Sequence, residues 1–313
     1  GNGVRCNRIE HKMGINGSPT CEIEFDGAKG WLVGVENSGM RNMFTMMNAA
    51  RLGVANQGVG LAEAAYQGAV GYARERLQGR SLRGAEHPDK PADPIIVHPD
   101  VRRMLLTMRA YTEGSRALGA WIATELDVSR RHEDAQTRQD ADDFVALMTP
   151  IAKALFTDIG FECANLGVQV FGGHGYVRDN GMEQIARDAR IAQIYEGTNG
   201  IQALDLVGRK LPSHTGRLLR GFFHPVRDFL ETEGSDPEMA PFVAPVAKAF
   251  ERLQRATGEI AQSGLNDPNE AAAAATDYLR LFGLTALGYM WARSVRVSLD
   301  NQANDESGFY AHK

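Results

Sequence analysis

The stretch DFVALMTPIAKALFTDIGFECANLGVQVFGGHGY, residues 143–176, decides the architecture. Phe144, Leu147, Ile151, Leu155, Ile159, Cys163, Leu166 and Val170 recur at three- or four-residue steps, which places them on one face of an α-helix. A helix is expected over about 140–170, ending in the glycine cluster Gly172-Gly173-His174-Gly175. Pro150 predicts a kink or an adjusted start in its first third, because proline lacks an N–H and crowds the preceding turn.

The same period extends outward. Met43, Met47, Ala50, Val54, Leu61, Ala65, Gly68 and Tyr72 mark one face of a long helix expected from about Ser38 to Gly79. Its glycines, among them Gly53, Gly58, Gly60, Gly68 and Gly71, weaken helix propensity, so tertiary contacts must hold it together. Pro88, Pro91, Pro94 and Pro99 break the next segment into an ordered surface connection, and Pro99 suits the first turn of a second helix carrying Val101, Leu105, Met108, Tyr111, Leu118 and Ile122. That helix dissolves into the polar run Ser129 to Gln139, the charge-rich stretch Asp127 to Asp143 reads as a solvated inter-helix turn, and a shorter helix with Ile201, Leu204 and Val207 follows Glu196. Three long amphipathic helices and one short one predict a mostly α protein built on a four-helix bundle over 37–212.

Two flanking regions differ. Residues 1–36 are rich in glycine and β-formers, with Thr20-Cys21-Glu22-Ile23-Glu24-Phe25 alternating ahead of the turn signal Asp26-Gly27 and Trp31-Leu32-Val33. These predict a strand pair that needs partners, because an isolated hairpin is marginal in water. Residues 213–313, punctuated by Pro225, Pro237, Pro241, Pro245 and Pro268, predict an additional helical region of three stretches, the last over about 269–299.

Composition excludes several functions. The formal net charge of −5 offers no general attraction to phosphate backbones or anionic lipid. Cys6, Cys21 and Cys163 are widely separated, with no His at metal-ligand spacing, so neither a disulfide framework nor a metal site is expected and the cytoplasm is the expected compartment. No uninterrupted apolar run reaches bilayer-spanning length.

Chemistry concentrates in two motifs. Gln169-Val170-Phe171-Gly172-Gly173-His174-Gly175 is followed about twenty residues later by Tyr195-Glu196-Gly197-Thr198-Asn199. They resemble the Q-x-x-G-G-x-G and Y-E-G-T signatures of acyl-CoA dehydrogenases, and Arg187-Asp188-Ala189-Arg190 matches the R-D-A-R element between them. Arg74-Glu75-Arg76-Leu77-Gln78-Gly79 resembles the family's E-R-x-x-F-G segment, displaced by about a residue. His11 to Thr20 looks like the family's K-x-G-x-x-x-S-x-T pattern at the end of its middle β-domain. The Pro-rich connection and helical tail are most similar to the branch containing 3-methylmercaptopropionyl-CoA dehydrogenases and related broad-range enzymes.

The resemblance implies FAD as cofactor, an acyl-CoA thioester as substrate and Glu196 as the base that removes the substrate α-proton while the β-hydride goes to flavin. A carboxylate suits that task in a dry cleft, where exclusion of water makes it a stronger base. The resemblance further implies cofactor contacts from Arg76, Gln78, Gln169, Gly172, Gly173, Thr198 and Asn199, and substrate contacts from Asn48, Arg51, Tyr195 and Gly197. Some branches carry the glutamate in the first long helix, just before the arginine; Ala50 stands there, which leaves Glu196 as the matched base. His174 is expected to pack or to border the cofactor rather than to carry protons.

A whole family member has an N-terminal helical domain, a middle β-domain and a C-terminal bundle, assembles as a dimer or dimer of dimers, and passes electrons to an electron-transfer flavoprotein. The resemblance covers roughly 4–211, so the chain is expected to be the C-terminal part, binding FAD weakly or not at all alone and inactive alone. The rival readings are an acyl-CoA oxidase, a helical oligomerisation module, and a DNA-binding relative that the acidic balance disfavours.

Overall fold

In the computed structural model, which describes residues 2–312 apart from the side chain of Asn48, the chain is predominantly helical. Strands β1 (Val4–Ile9) and β2 (Cys21–Phe25) are followed by helices α1 (Gly39–Glu75), α2 (Pro99–Arg131) and α3 (Ala135–Phe171). Then come the short α4 (Gly173–Tyr176), α5 (Met182–Arg190), α6 (Asn199–Asp205), α7 (Arg217–Glu233), α8 (Ala240–Asn266), α9 (Pro268–Gln302) and α10 (Phe309–His312). Two compact units emerge, one of residues 1–105 with 160–196, the other of residues 106–159 with 197–313.

In the first unit, β1 and β2 pair antiparallel from Val4 opposite Phe25 to Ile9 opposite Cys21, with a bulge between Cys6 and Arg8. The expected pairing of 20–25 with Trp31-Leu32-Val33 is corrected: the partner strand lies upstream, and residues 31–33 are exposed and irregular. Asp26 donates its N–H to the carbonyl of Gly3 at 2.7 Å, closing the strand pair where a turn to Trp31 was expected.

Helix α1 buries a narrow stripe of small residues, Ala55, Ala62, Ala65, Ala69 and Ala73, while Met40, Met43, Phe44 and Met46 are exposed. Small residues allow close approach. A Cβ placed on Gly160 of α3 would lie 2.7 Å from the carbonyl oxygen of Gly58, and Met182 of α5 lies against both Gly68 and Gly167. Helix α1 stops at Glu75, four residues before the expected end, because Arg76 turns extended (φ −67°, ψ 118°) and residues 76–78 bond to 93–95 instead. Ile95 N–H reaches Arg76 O at 2.8 Å and Gln78 N–H reaches Asp93 O at 2.9 Å.

In the second unit the core is aromatic. Phe222 of α7 and Phe282 of α9 are fully buried with ring centroids 4.8 Å apart, Phe223 meets Phe250 of α8 at 5.2 Å, and Trp121 meets Phe144 at 4.3 Å. Residues 213–313 share this unit with residues 106–159.

Helix α3 begins at Ala135 rather than near 140. Asp134 accepts the backbone N–H of Thr137 at 2.7 Å and its hydroxyl at 2.8 Å, an N-cap that shortens the expected polar turn. Pro150 is accommodated within the continuous helix. By length and composition α3 could cross a membrane, contrary to the expectation above, but 83% of its most apolar window is buried inside the protein, as in the core helix of a globular fold.

The contact between Gly58 and Gly160 gives a stability prediction. Gly160→Ala should destabilise the fold by about 1–3 kcal/mol, since the new methyl meets backbone that cannot move aside. Urea denaturation should show a lower midpoint at unchanged slope; an unchanged midpoint would mean the helices separate without cost.

Candidate active site and cofactor groove

Residues from two distant motifs line one groove of about 730 Å³ in the first unit. Arg76, Gln78 and Gly79 come from the end of α1 and the residues after it, and Gln169, Gly172, Gly173 and His174 from the α3–α4 junction. Tyr72, Ile95, His98 and Phe171 complete its walls. Tyr72 and Phe171 stack with ring centroids 4.1 Å apart and an interplanar angle of 13°. The Tyr72 hydroxyl bonds to Nδ1 of His174 at 2.9 Å. His98 Nε2 lies 2.8 Å from the carbonyl of Gln78, which can only accept, so this nitrogen carries the proton. Gly172, at φ +61°, supplies the left-handed backbone that turns the chain out of α3.

Below Gln78 the Pro-rich connection folds around one carboxylate. Asp93 is fully buried and accepts the N–H groups of Ser81 at 3.0 Å, Glu86 at 3.2 Å and His87 at 2.8 Å, with Arg80 at 3.3 Å. The Ser81 bond above all, then those from His87, Glu86 and Arg80, outweigh burial and hold the carboxyl at about 2 against an ordinary 3.8. This is how a segment with four prolines is ordered without helix or strand.

The candidate base lies on the turn before α6. Tyr195 is half-buried, and its hydroxyl donates to the side-chain carbonyl of Gln57 on α1. Burial raises the Tyr195 pKa; the Gln57 bond opposes this and the nearby negative charge of Glu196 adds to it. Glu196 is half-buried with its Oε2 shielded from solvent, and its backbone is left-handed at φ +59°. For a residue with a side chain that conformation is uncommon and tends to collect at functional sites. Gly197 continues the turn at φ +82°.

Beyond Gly197 the second unit takes over. Thr198 caps α6, its Oγ1 accepting the N–H of Ile201 at 3.2 Å. The Asn199 side chain turns inward to α3: its oxygen accepts Lys153 Nζ at 2.9 Å, and its nitrogen donates to Asp158 Oδ1 at 2.8 Å, Thr157 Oγ1 at 3.0 Å and Ala154 O at 3.2 Å. Thr198 and Asn199, both expected at the cofactor, thus also make bonds within the chain. Arg51 is buried and the Asn48 side chain lies outside the described residues.

Sequence reasoning passed over Tyr72, His98 and Gln57, which had no motif to mark them. It also missed α5, whose Arg187 pairs with Glu183 at 2.5 Å and donates to Met13 O at 2.8 Å, while Asp188 accepts the N–H of Ile15 at 2.6 Å. The R-D-A-R element thereby holds residues 13–15. Lys153 was missed as well, although it is the one charged residue between Val145 and Thr157.

Residues 37–211 match the family model described as acyl-CoA dehydrogenase, C-terminal domain. The chain belongs to the acyl-CoA dehydrogenase family. Residues 222–313 match a second model, acetyl-CoA dehydrogenase C-terminal like. The 3-methylmercaptopropionyl-CoA dehydrogenase of Ruegeria pomeroyi is 43% identical over 92% of this chain and 48% of its own length. The broad-specificity linear acyl-CoA dehydrogenase of Mycobacterium tuberculosis is 32% identical over 100% of the chain and 54% of its own. An acyl-CoA dehydrogenase from Bacillus anthracis, solved in complex with FAD, shares the fold with a TM-score of 0.76 over 96% of this chain and 51% of that one, at 21% identity. The chain spans about half the length of the curated relatives it matches.

The groove suits the FAD of such acyl-CoA dehydrogenases: a guanidinium, two carboxamides, glycine backbone and flat rings along one wall match a pyrophosphate joining two ring systems.

The Asp93 hub gives a pH prediction. A carboxyl whose pKa is depressed on folding stabilises above its ordinary value and loses that contribution as pH falls through the folded value. Amides of residues 79–92 should stay protected from hydrogen exchange down to about pH 4 and lose protection, relative to α3, as pH approaches about 2. Asp93→Asn should lower their protection already at neutral pH and abolish the dependence; equal protection in both proteins at every pH would remove Asp93 as the organiser.

Proposed function

We propose that this chain is the C-terminal helical part of an FAD-dependent acyl-CoA dehydrogenase that introduces a double bond between the α and β carbons of an acyl-CoA thioester. The observation carrying this reading is Glu196: a half-buried carboxylate with one oxygen shielded, on a left-handed turn, in the family's Y-E-G-T position. Glu196 takes the α-proton. The Gln57 bond to Tyr195 immobilises the preceding residue, and the Thr198 cap starts a helix directly after the turn, so the base is held from both sides along the chain. Such positioning matters because general-base catalysis falls steeply with misalignment.

Arg76, Gln78 and Gln169, with the Gly172-Gly173 backbone, are the residues that would hold FAD, whose role when bound is to accept the β-hydride. Arg76 would hold the pyrophosphate, in a homo-oligomer where the flavin would be shared between subunits, and an electron-transfer flavoprotein would be the acceptor. Substrate specificity follows the branch of the 3-methylmercaptopropionyl-CoA and broad-specificity linear acyl-CoA enzymes.

Two substitutions in the whole enzyme test this. Glu196→Gln keeps shape and deletes the base, so turnover of acyl-CoA with an artificial acceptor should fall about 10²–10⁴-fold while flavin content is kept; turnover at the parent rate would refute the assignment. Arg76→Lys loses the planar fork and should reduce the flavin retained through gel filtration, measured by absorbance. Undiminished retention would place the pyrophosphate elsewhere.

A further inference from the structure

Helix α3 carries a fully buried lysine. Lys153 has no solvent exposure and sits among Ile151, Ala152, Ala154, Leu155 and Phe156, themselves almost entirely buried. Its Nζ donates to the carbonyl of Gly197 at 2.8 Å and to the side-chain oxygen of Asn199 at 2.9 Å. An ammonium is costly to bury, and an apolar residue of the same length would fill the space without that cost. What the charge provides is therefore sought in what it touches.

These two acceptors lie within three residues of Glu196. The Gly197 carbonyl belongs to the peptide unit that directly follows the carboxylate's own residue, and it also accepts Gln202 Nε2 at 3.2 Å. Asn199 is the first residue of α6, and its remaining polar atoms bond to Thr157, Asp158 and Ala154 of α3. The two residues at 196 and 197 are both left-handed. A turn of that shape persists only when its surroundings over-determine it, and the charge-assisted bonds from Lys153 are the strong kind.

We propose that Lys153 is a positioning residue for Glu196: its buried ammonium clamps Gly197 and Asn199 and so fixes the turn that carries the base. The proposal rests on the reading of Glu196 as the base, and the tests separate the two. Lys153→Met fills the same volume and deletes all three N–H donors.

In the isolated chain, hydrogen exchange over residues 194–201 should accelerate in Lys153→Met while residues 167–176 at the cofactor groove stay unchanged. Equal exchange in both proteins over 194–201 would overturn the clamp. In the flavin-loaded whole enzyme, kcat should fall about 10- to 100-fold, the cost of an ångström-scale misplacement, with KM for acyl-CoA changed less than about 3-fold. The isotope effect on kcat with α-deuterated acyl-CoA should rise, because proton removal becomes slower relative to every other step.

The double variant Lys153→Met with Glu196→Gln distinguishes a positioning role from a general structural one. If Lys153 acts through Glu196, Lys153→Met adds little to the loss that Glu196→Gln already causes; full multiplication of the two losses would sink the proposal. Should Glu196→Gln alone turn over at the parent rate, the base assignment fails whatever Lys153 does. A normal rate in Lys153→Met beside an inactive Glu196→Gln removes only the lysine from the mechanism. If Lys153→Met does not fold, Lys153→Gln, which retains a donor, carries the same measurements with a smaller loss expected in the same direction.

Discussion

A helix buried around its circumference must dispose of any charge it carries, and α3 does so through Lys153. The ammonium cannot reach water, so it reaches the Gly197 carbonyl and the Asn199 side chain. This fixes more than one lysine. Asn199, held by Lys153, Thr157, Asp158 and Ala154, anchors the start of α6, and Thr198 caps it one residue earlier. The residues after Glu196 are thus bonded to α3 and to the first turn of α6, which fixes the backbone that follows the carboxylate.

The cofactor groove follows a different logic, in which the chain's irregular stretches are fixed by carbonyls and carboxylates. The segment after α1 cannot continue as helix through its prolines, and it is ordered by short-range pairing of 76–78 with 93–95 and by the ring of donors around Asp93. Gln78 and Gly79 stand at the edge of that hub and line the groove. Arg76 is exposed there, free of the helix because α1 ends at the preceding residue. Recognition residues on such a loop need a rigid support, and one buried carboxylate supplies it.

Much of this was legible in the sequence. The spacing of Phe144 through Val170 marks α3, and the Gln169-to-Gly175 and Arg76-to-Gly79 segments, about ninety residues apart, do line one groove. The misses have physical causes. The β1–β2 pairing is set by a strand upstream of the alternating stretch, and local alternation cannot reveal which neighbour a strand chooses. The start of α3 depends on Asp134, one acid among several in a charged run, where only geometry shows which oxygen meets a helix N–H. The large methionines of α1 look like core, yet close approach selects the alanines, because a stripe of small side chains lets backbones meet as Gly58 and Gly160 do. Asn199 follows a recognised motif, but its many partners on α3 depend on long-range folding that a motif does not encode. Lys153 did leave a signal, a lone charge in a run of apolar residues, which can equally mark a side chain that snorkels to water.

The backbone at Glu196 ties these threads together. Holding a non-glycine residue in the left-handed region costs on the order of 1 kcal/mol or more, and glycine there would remove the cost along with the carboxylate. The strain is compatible with a stable fold because neighbouring residues are secured separately: Tyr195 to Gln57 before it, Gly197 and Asn199 to Lys153 after it. Each anchor draws its strength from a different part of the sequence, one on α1 and one on α3. Each anchor acts on its own stretch of chain, and the left-handed backbone at Glu196 is what joins the two stretches.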